Sequence, residues 1–162
     1  MISVQCVLLF PRFAYLVAEG FFLYLIAVII RAMRYLCLDY GLKRIGVAVS
    51  DEEGRMAFPM GIIFHRGIDA VIKEIVERIK KEHIGSVVVG LPVGLDSKET
   101  QQTTITRRFV TALKKAVSIP VETENEMLTS RMAADSGMKG GHRDAASAAI
   151  ILQSYLDKFK KG

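Results

Sequence analysis

Residues 34–51, RYLCLDYGLKRIGVAVSD, constrain the fold most: they set one carboxylate inside an apolar strand pattern, then a turn, then a second strand. Residues 35–38 form a β-rich run, Gly41 supplies a backbone that turns without steric cost, and residues 45–49 resume the apolar pattern. The reading is a β-hairpin with Asp39 at the strand end, beside the turn. A charge desolvated there without a partner costs several kcal/mol or takes up a proton. Asp39 therefore wants a cation. Lys43 or Arg44 could pair with it, or a divalent metal could be shared with carboxylates from elsewhere in the chain. An ordinary turn or capping Asp is the plainer reading of these residues.

The pattern continues as a turn over residues 51–55 and a third strand over 58–64, with Pro59 at its start where a missing N–H is tolerated. This makes a three-stranded antiparallel meander. Ile68, Val71, Ile72, Ile75, Val76 and Ile79 then recur on one helical face, with Lys and Glu on the other, and Gly85 is expected to end that helix. Residues 86–90 read as a short Val-rich strand buried on both faces. Residues 91–99 form a loop at its carboxyl end, the edge where open α/β sheets bind ligands. Ile105, Phe109, Leu113 and Val117 mark a second helix, and residues 120–124 a fifth strand. A short helix capped by Thr129 is expected over 128–136, then a glycine-containing loop over 137–141. The last helix runs from near Asp144 to about Lys158, and Ala145, Ala146, Ala148 and Ala149 let it lie close to the sheet. The expected fold class is α/β, a mixed five-stranded sheet of three antiparallel and then parallel strands, with helices packed on it.

Residues 1–32 differ from the rest. Residues 13–30 are an apolar run whose only charge is Glu19, flanked by Arg12 and Arg31. The run could just span a bilayer, where about 20 residues are typical. A signal peptide fits less well, because no small-residue cleavage site precedes Tyr35. Met33 directly precedes the hairpin and leaves almost no linker for a membrane span. The preferred reading is therefore that Met33 is the biological start and that residues 1–32 come from an over-extended reading frame. Residues 33–162 then form one domain, and no membrane association is expected unless residues 1–32 are made. The chain is half apolar, with a net charge of +5 that is compatible with a polyanionic partner. Cys6 and Cys37 show no CxxC spacing and no histidine at ligand spacing, which argues against zinc and for a reducing compartment.

On this layout three acids can meet: Asp39 on the first, central strand, Glu126 after the fifth strand, and Asp144 at the start of the last helix. Asp96 and Glu99, in the loop after the fourth strand, are further candidates. Taken singly, Glu126 reads equally well as a solvated residue and Asp144 as a helix cap. A cluster of hard oxygen ligands binds Mg²⁺ or Mn²⁺, and two such ions about 3.5 to 4 Å apart serve phosphodiester hydrolysis.

Leu38–Asp51 (LDYGLKRIGVAVSD), residues 89–92 (VGLP), 126–130 (EMLTS) and 144–156 (DAASAAIILQSYL) resemble the four motifs of the YqgF family of pre-16S rRNA nucleases, also described as Holliday junction resolvase-like proteins. The resemblance covers Met33 to about Lys158. It implies an RNase H-like fold, metal-dependent phosphodiester cleavage, and maturation of the 5′ end of 16S rRNA in the bacterial cytoplasm, on the RNA or on ribosomal precursor particles. By position it makes Asp39, Glu126 and Asp144 the catalytic, metal-binding acids and sets Lys43 and Arg44 near a substrate phosphate. The chain departs from the family's Asp-Glu-Arg at Asn125 and Met127, and reads Val-Gly-Leu-Asp-Ser after Pro92 in place of an Asn-Met-Asp-Gly type of loop.

Other chemistries find little support. No Walker A or GxGxxG pattern is present, and an actin-like phosphate loop would need two such domains. His65, His83 and His142 are scattered and read as surface or loop residues, and no Ser-His-Asp or Cys-His arrangement stands out. Two alternatives to an RNA nuclease stay open: a DNA junction resolvase, since phosphate contacts alone serve either substrate, and a non-catalytic RNA-binding ribosome-assembly factor. Nothing in the sequence sets an oligomeric state.

Overall fold

The computed structural model of the chain describes residues 34–92, 100–125 and 141–159. The expectations for residues 1–32, for the loop acids Asp96 and Glu99, for Glu126, and for the short helix over 128–136 fall outside these residues.

Five strands form one sheet: β1 (Arg34–Tyr40), β2 (Arg44–Ser50), β3 (Ala57–Phe64), β4 (Ile84–Leu91) and β5 (Val121–Asn125). The helices are α1 (Ile68–Lys81), α2 (Gln101–Ala116) and α3 (Gly141–Phe159). The sheet order is β3-β2-β1-β4-β5, antiparallel across β1–β2 and β2–β3 and parallel across β1–β4 and β4–β5. The mixed sheet expected from the sequence is therefore the one observed, with β1 at its centre.

Strand alternation divides the core in two. Leu36, Leu38 and Tyr40 of β1, with Ile45, Val47 and Val49 of β2, face one side and pack with Val71 and Ile75 of α1 and Phe109 and Leu113 of α2. Cys37, Ala48 and Val88 face the other side, under Ala148, Ile151, Leu152, Tyr155 and Leu156 of α3. Asp39, one residue after Leu38, therefore belongs to the α3 side. Cys37 is a buried strand residue.

Several boundaries move. Gly85 does not end α1. The helix closes at Lys81, Glu82 is its cap, and His83 takes the turn at φ 53°, while Gly85 is already a buried residue of β4. β3 starts one residue earlier than expected, so Pro59 is its third residue. It is tolerated because β3 is an edge strand and because a bulge lies there: Val47 faces Gly61 while Ala48 faces Pro59, leaving Met60 without a ladder partner. β5 runs one residue past Glu124, and α3 starts three residues before Asp144, which so lies in its first turn.

Turn chemistry follows the sequence. The Gly41 N–H donates to the Arg44 carbonyl at 3.1 Å across the first hairpin. Asp51 holds the second, its Oδ1 accepting from the Arg55 N–H at 2.6 Å, with Gly54 at φ 64°. His65 is more than a loop residue. Its Nε2 lies 2.8 Å from the Tyr40 hydroxyl, and the Tyr40 ring stacks on Phe109 with centroids 4.2 Å apart, which ties the ends of β1 and β3 to α2.

Candidate active site

The parallel strands β1, β4 and β5 all end at one edge of the sheet, where β2 begins. In register, Leu38 pairs with Val89, and Leu91 pairs with Asn125. Asp39 at the end of β1 and Arg44 at the start of β2 share this edge with Asn125, the residue before Glu126.

The hairpin register sets Asp39 opposite Gly46. Gly46 is where α3 comes down on the sheet. A β-carbon there would overlap the Asp144 carbonyl and crowd the Ala145 nitrogen. Glycine in a strand of branched residues marks a close backbone approach, and here the approaching backbone is that of the first turn of α3. Ala145 and Ala148, both buried, keep the helix low along the next turn. Its far half is fastened to β5: the Tyr155 hydroxyl donates to Glu122 Oε2 at 2.8 Å, and Lys158 Nζ lies 2.5 and 2.6 Å from the two oxygens of buried Glu124. Gln153 reaches the edge strand, accepting from the Ala57 N–H at 3.0 Å. These contacts place Asp144 beside Asp39.

The electrostatics of the pair are set by burial and by the two charges together. Burial pushes the Asp39 carboxyl above the usual carboxylate range, a hydrogen bond from the Ser147 hydroxyl pulls it partly back, and the neighbouring Asp144 charge pushes it up again. Arg44 Nε lies 3.0 Å from Asp144 Oδ2. The approach misses hydrogen-bond geometry, so this oxygen, shielded from solvent, is held by charge alone. Arg44, one of the candidate cations for Asp39, therefore pairs with Asp144 instead. Lys43 is exposed at the hairpin tip, and its carbonyl accepts from the His65 N–H at 3.0 Å.

Two adjacent carboxyls, one raised by burial and the other with an inner oxygen lacking a hydrogen bond, fit a hard divalent cation. Among the described residues no group of three acidic, histidine or cysteine side chains is arranged to hold a metal. The third acid expected from the sequence, Glu126, lies outside them. Beside Asp144 a groove of about 540 Å³ runs between β3 and α3, lined by Pro59, Met60, Gly61, Ile62, His142 and Ala145 among others. His142 is exposed on its rim.

Gly46 and Ser147 were not singled out from the sequence. The signals were present: Ser147 stands three residues after Asp144, on the same helical face, and Gly46 interrupts an otherwise bulky strand. Among the described residues no helix is long and apolar enough to cross a membrane.

Residues 33–158 match the model of the family described as RuvX, Holliday junction resolvase. Relatives named "Putative pre-16S rRNA nuclease" include one from Maridesulfovibrio salexigens, 34% identical over 76% of this chain and 98% of its own length. Another, from Anaeromyxobacter sp., is 37% identical over 77% of this chain and 97% of its own. A third, from Chloroflexus aurantiacus, is 38% identical over 75% and 85%. In three dimensions the chain is similar to T. thermophilus RuvC bound to a Holliday junction substrate, with a TM-score of 0.56 at 12% identity over 79% of this chain and 96% of that one. Thermus thermophilus RuvC in a second structure gives a TM-score of 0.51 at 12% identity over 80% and 97%. At that identity the likeness speaks for the fold, an RNase H-like sheet.

Proposed function

The chain belongs to the RuvX family, the group that its motifs resemble under the name YqgF, and from that membership we propose that it is a nuclease hydrolysing phosphodiester bonds of precursor 16S rRNA, processing the 5′ end during ribosome biogenesis in the cytoplasm. The observation that carries the proposal is the meeting of Asp39 and Asp144 over Gly46 at the carboxyl edge of the sheet. The relatives' names supply the substrate.

In this reading Asp39, Glu126 and Asp144 are the catalytic acids and hold Mg²⁺ or Mn²⁺. Asn125 ends β5 at the same edge, which supports bringing Glu126 to the pair. A divalent ion bound there supplies Lewis-acid stabilisation of the charge that develops on the phosphate. The chain's own part is positioning: Ser147 orients the Asp39 carboxyl, and Gly46 sets its distance from Asp144. Arg44, 42% exposed while it pairs with Asp144, is within reach of a substrate phosphate, and exposed Lys43 extends the same basic tip. The groove beside Asp144 offers room for the polymer flanking the scissile bond.

The family's description as Holliday junction resolvases favours a second reading, a DNA junction resolvase. One assay separates them: incubation of the full-length chain with a 5′-extended 16S rRNA precursor and with a four-way DNA junction, in Mg²⁺, Mn²⁺ or EDTA, alongside Asp39→Asn. Cutting of the RNA that needs the metal and is lost in Asp39→Asn supports the proposal. Cutting of the junction alone moves the assignment to the resolvase. Binding without cutting in every metal overturns both and leaves an RNA-binding assembly factor, with Asn125 and Met127 as the departures to examine.

A further inference from the structure

The helix α2 carries a charge unlike its neighbours. It holds Arg107, Arg108, Lys114 and Lys115 and no acid, whereas α1 mixes Asp69, Glu74 and Glu77 with its Lys and Arg. The whole chain has a net charge of +5, so this helix carries +4 against a total of +5. Buried Thr103, Thr106, Phe109, Val110 and Leu113 fix its rotation on the sheet. Thr104, Arg107, Arg108, Thr111, Lys114 and Lys115 are left exposed, and their spacing puts them on one outward face. The first four line a shallow depression of about 320 Å³.

Spacing decides what fits. Arg107 and Arg108 stand seven residues before Lys114 and Lys115, about 10 Å along the axis, with the Thr111 hydroxyl between. A single small anion would reach one pair and not the other. An extended polyanion reaches both pairs through its successive phosphates. A membrane surface fits poorly, because interfacial helices lay apolar side chains into the lipid and the apolar side of α2 is already in the core.

The helix is also fastened to the catalytic edge. Gln102 Nε2 donates to the carbonyl of Tyr40, the residue after Asp39, at 3.0 Å, and the Thr103 hydroxyl donates to the Pro92 carbonyl. Its body packs on the sheet face opposite α3, so the basic face is separate from the carboxylate pair.

We infer that the outer face of α2 is a second contact surface for the phosphodiester backbone of a structured nucleic acid, holding a segment beyond the one at the carboxylates. The choice of polymer rests on the nuclease reading. The face itself follows from the charge and its spacing.

The test is binding of a fluorescent stem-loop RNA by the full-length chain in EDTA, read by anisotropy over a range of salt. One variant is Arg108→Gln with Lys114→Gln and Lys115→Gln. The control is Lys73→Gln with Lys80→Gln and Lys81→Gln on α1, which removes the same charge. The α2 variant is expected to bind at least tenfold more weakly at 0.1 M salt, with a salt slope shallower by about 2, since each phosphate that is no longer neutralised takes about 0.7 to 0.9 from the slope. The α1 control stays within about twofold of the parent protein, since charge removed away from the binding surface releases no counterions on binding. Equal weakening in both variants, or none in either, overturns the inference. So does loss of binding to phosphatidylglycerol vesicles with RNA binding intact. If the triple variant melts below the parent, Lys114→Gln and Lys115→Gln singly carry the same comparison. Because no cleavage is scored, a parent chain that never cuts RNA counts against the nuclease reading alone. An α2 variant that binds like a parent chain able to cut RNA counts against this inference alone.

Discussion

Gly46 and Asp144 meet backbone to backbone: the space for a side chain on the strand residue is filled by the carbonyl of the helix residue. Because Gly46 is also the ladder partner of Asp39, this contact fixes how far the two carboxyls stand apart. Gly46→Ala should push the start of α3 off the sheet. The expected cost is about 1 to 3 kcal/mol by overpacking, read by chemical denaturation. Cleavage should fall by about a hundredfold, the scale of a roughly 1 Å misplacement, in the fraction that stays folded.

Asp39 gives a prediction with opposite signs for stability and activity. Its folded-state pKa is raised, so the neutral form is favoured in the native protein. The stabilisation this gives is complete below the unfolded value of about 3.9 and is lost as pH rises through the folded value. In EDTA, the Tm of the parent chain should therefore rise relative to that of Asp39→Asn as pH is lowered from about 7 toward about 4. At neutral pH Asp39→Asn should be the more stable of the two, since it carries no charge to desolvate, while losing cleavage. Thermal melts across pH settle the sign.

Ser147 acts through Asp39. Its hydrogen bond lowers the Asp39 pKa against the push of burial, so Ser147→Ala should move the acidic limb of the pH–rate profile to higher pH. Ser147→Thr, which keeps the hydroxyl, should restore it. A profile unchanged in Ser147→Ala would count against the positioning role.

The Arg44–Asp144 pair is partly exposed on both sides, 42% and 31%, and ion pairs of that kind contribute about 0 to 1 kcal/mol. Arg44→Gln should hold stability within that range. If Arg44 reaches the substrate phosphate, KM for RNA should rise about tenfold or more, as expected for loss of a charge-assisted contact to phosphate, with kcat less affected. Steady-state kinetics separate the two effects.

Much of this protein is written locally. The hairpin of β1 and β2 follows from an apolar alternation broken at Gly41, the helices from apolar recurrence at three and four residues, and the sheet class from the order of the elements. Asp39 is legible too, because a carboxylate in an apolar strand needs an explanation in any fold. Local signals misplaced what depends on long-range pairing. Gly85 looked like a helix stop and is a strand residue, because Ile84 and Ser86 on either side of it pair with Arg34 and Tyr35 of β1 and the register shift between them leaves glycine at the irregular position. Pro59 sits inside β3 because the bulge and the open edge remove the need for its N–H.

The sequence by itself determined the described elements, the family motifs and the pair of acids proposed for the site, since these rest on periodicity, turn chemistry and composition over a few residues. Only the tertiary structure decided which charges meet. Arg44 is five residues from Asp39 and one candidate cation for it, yet it pairs with Asp144, one hundred residues away. Gly46 acquires its meaning only when α3 lies across it. Pairing of this kind is set by how a helix packs on a sheet, and packing is a property of surfaces brought together from distant segments, which no local spacing encodes.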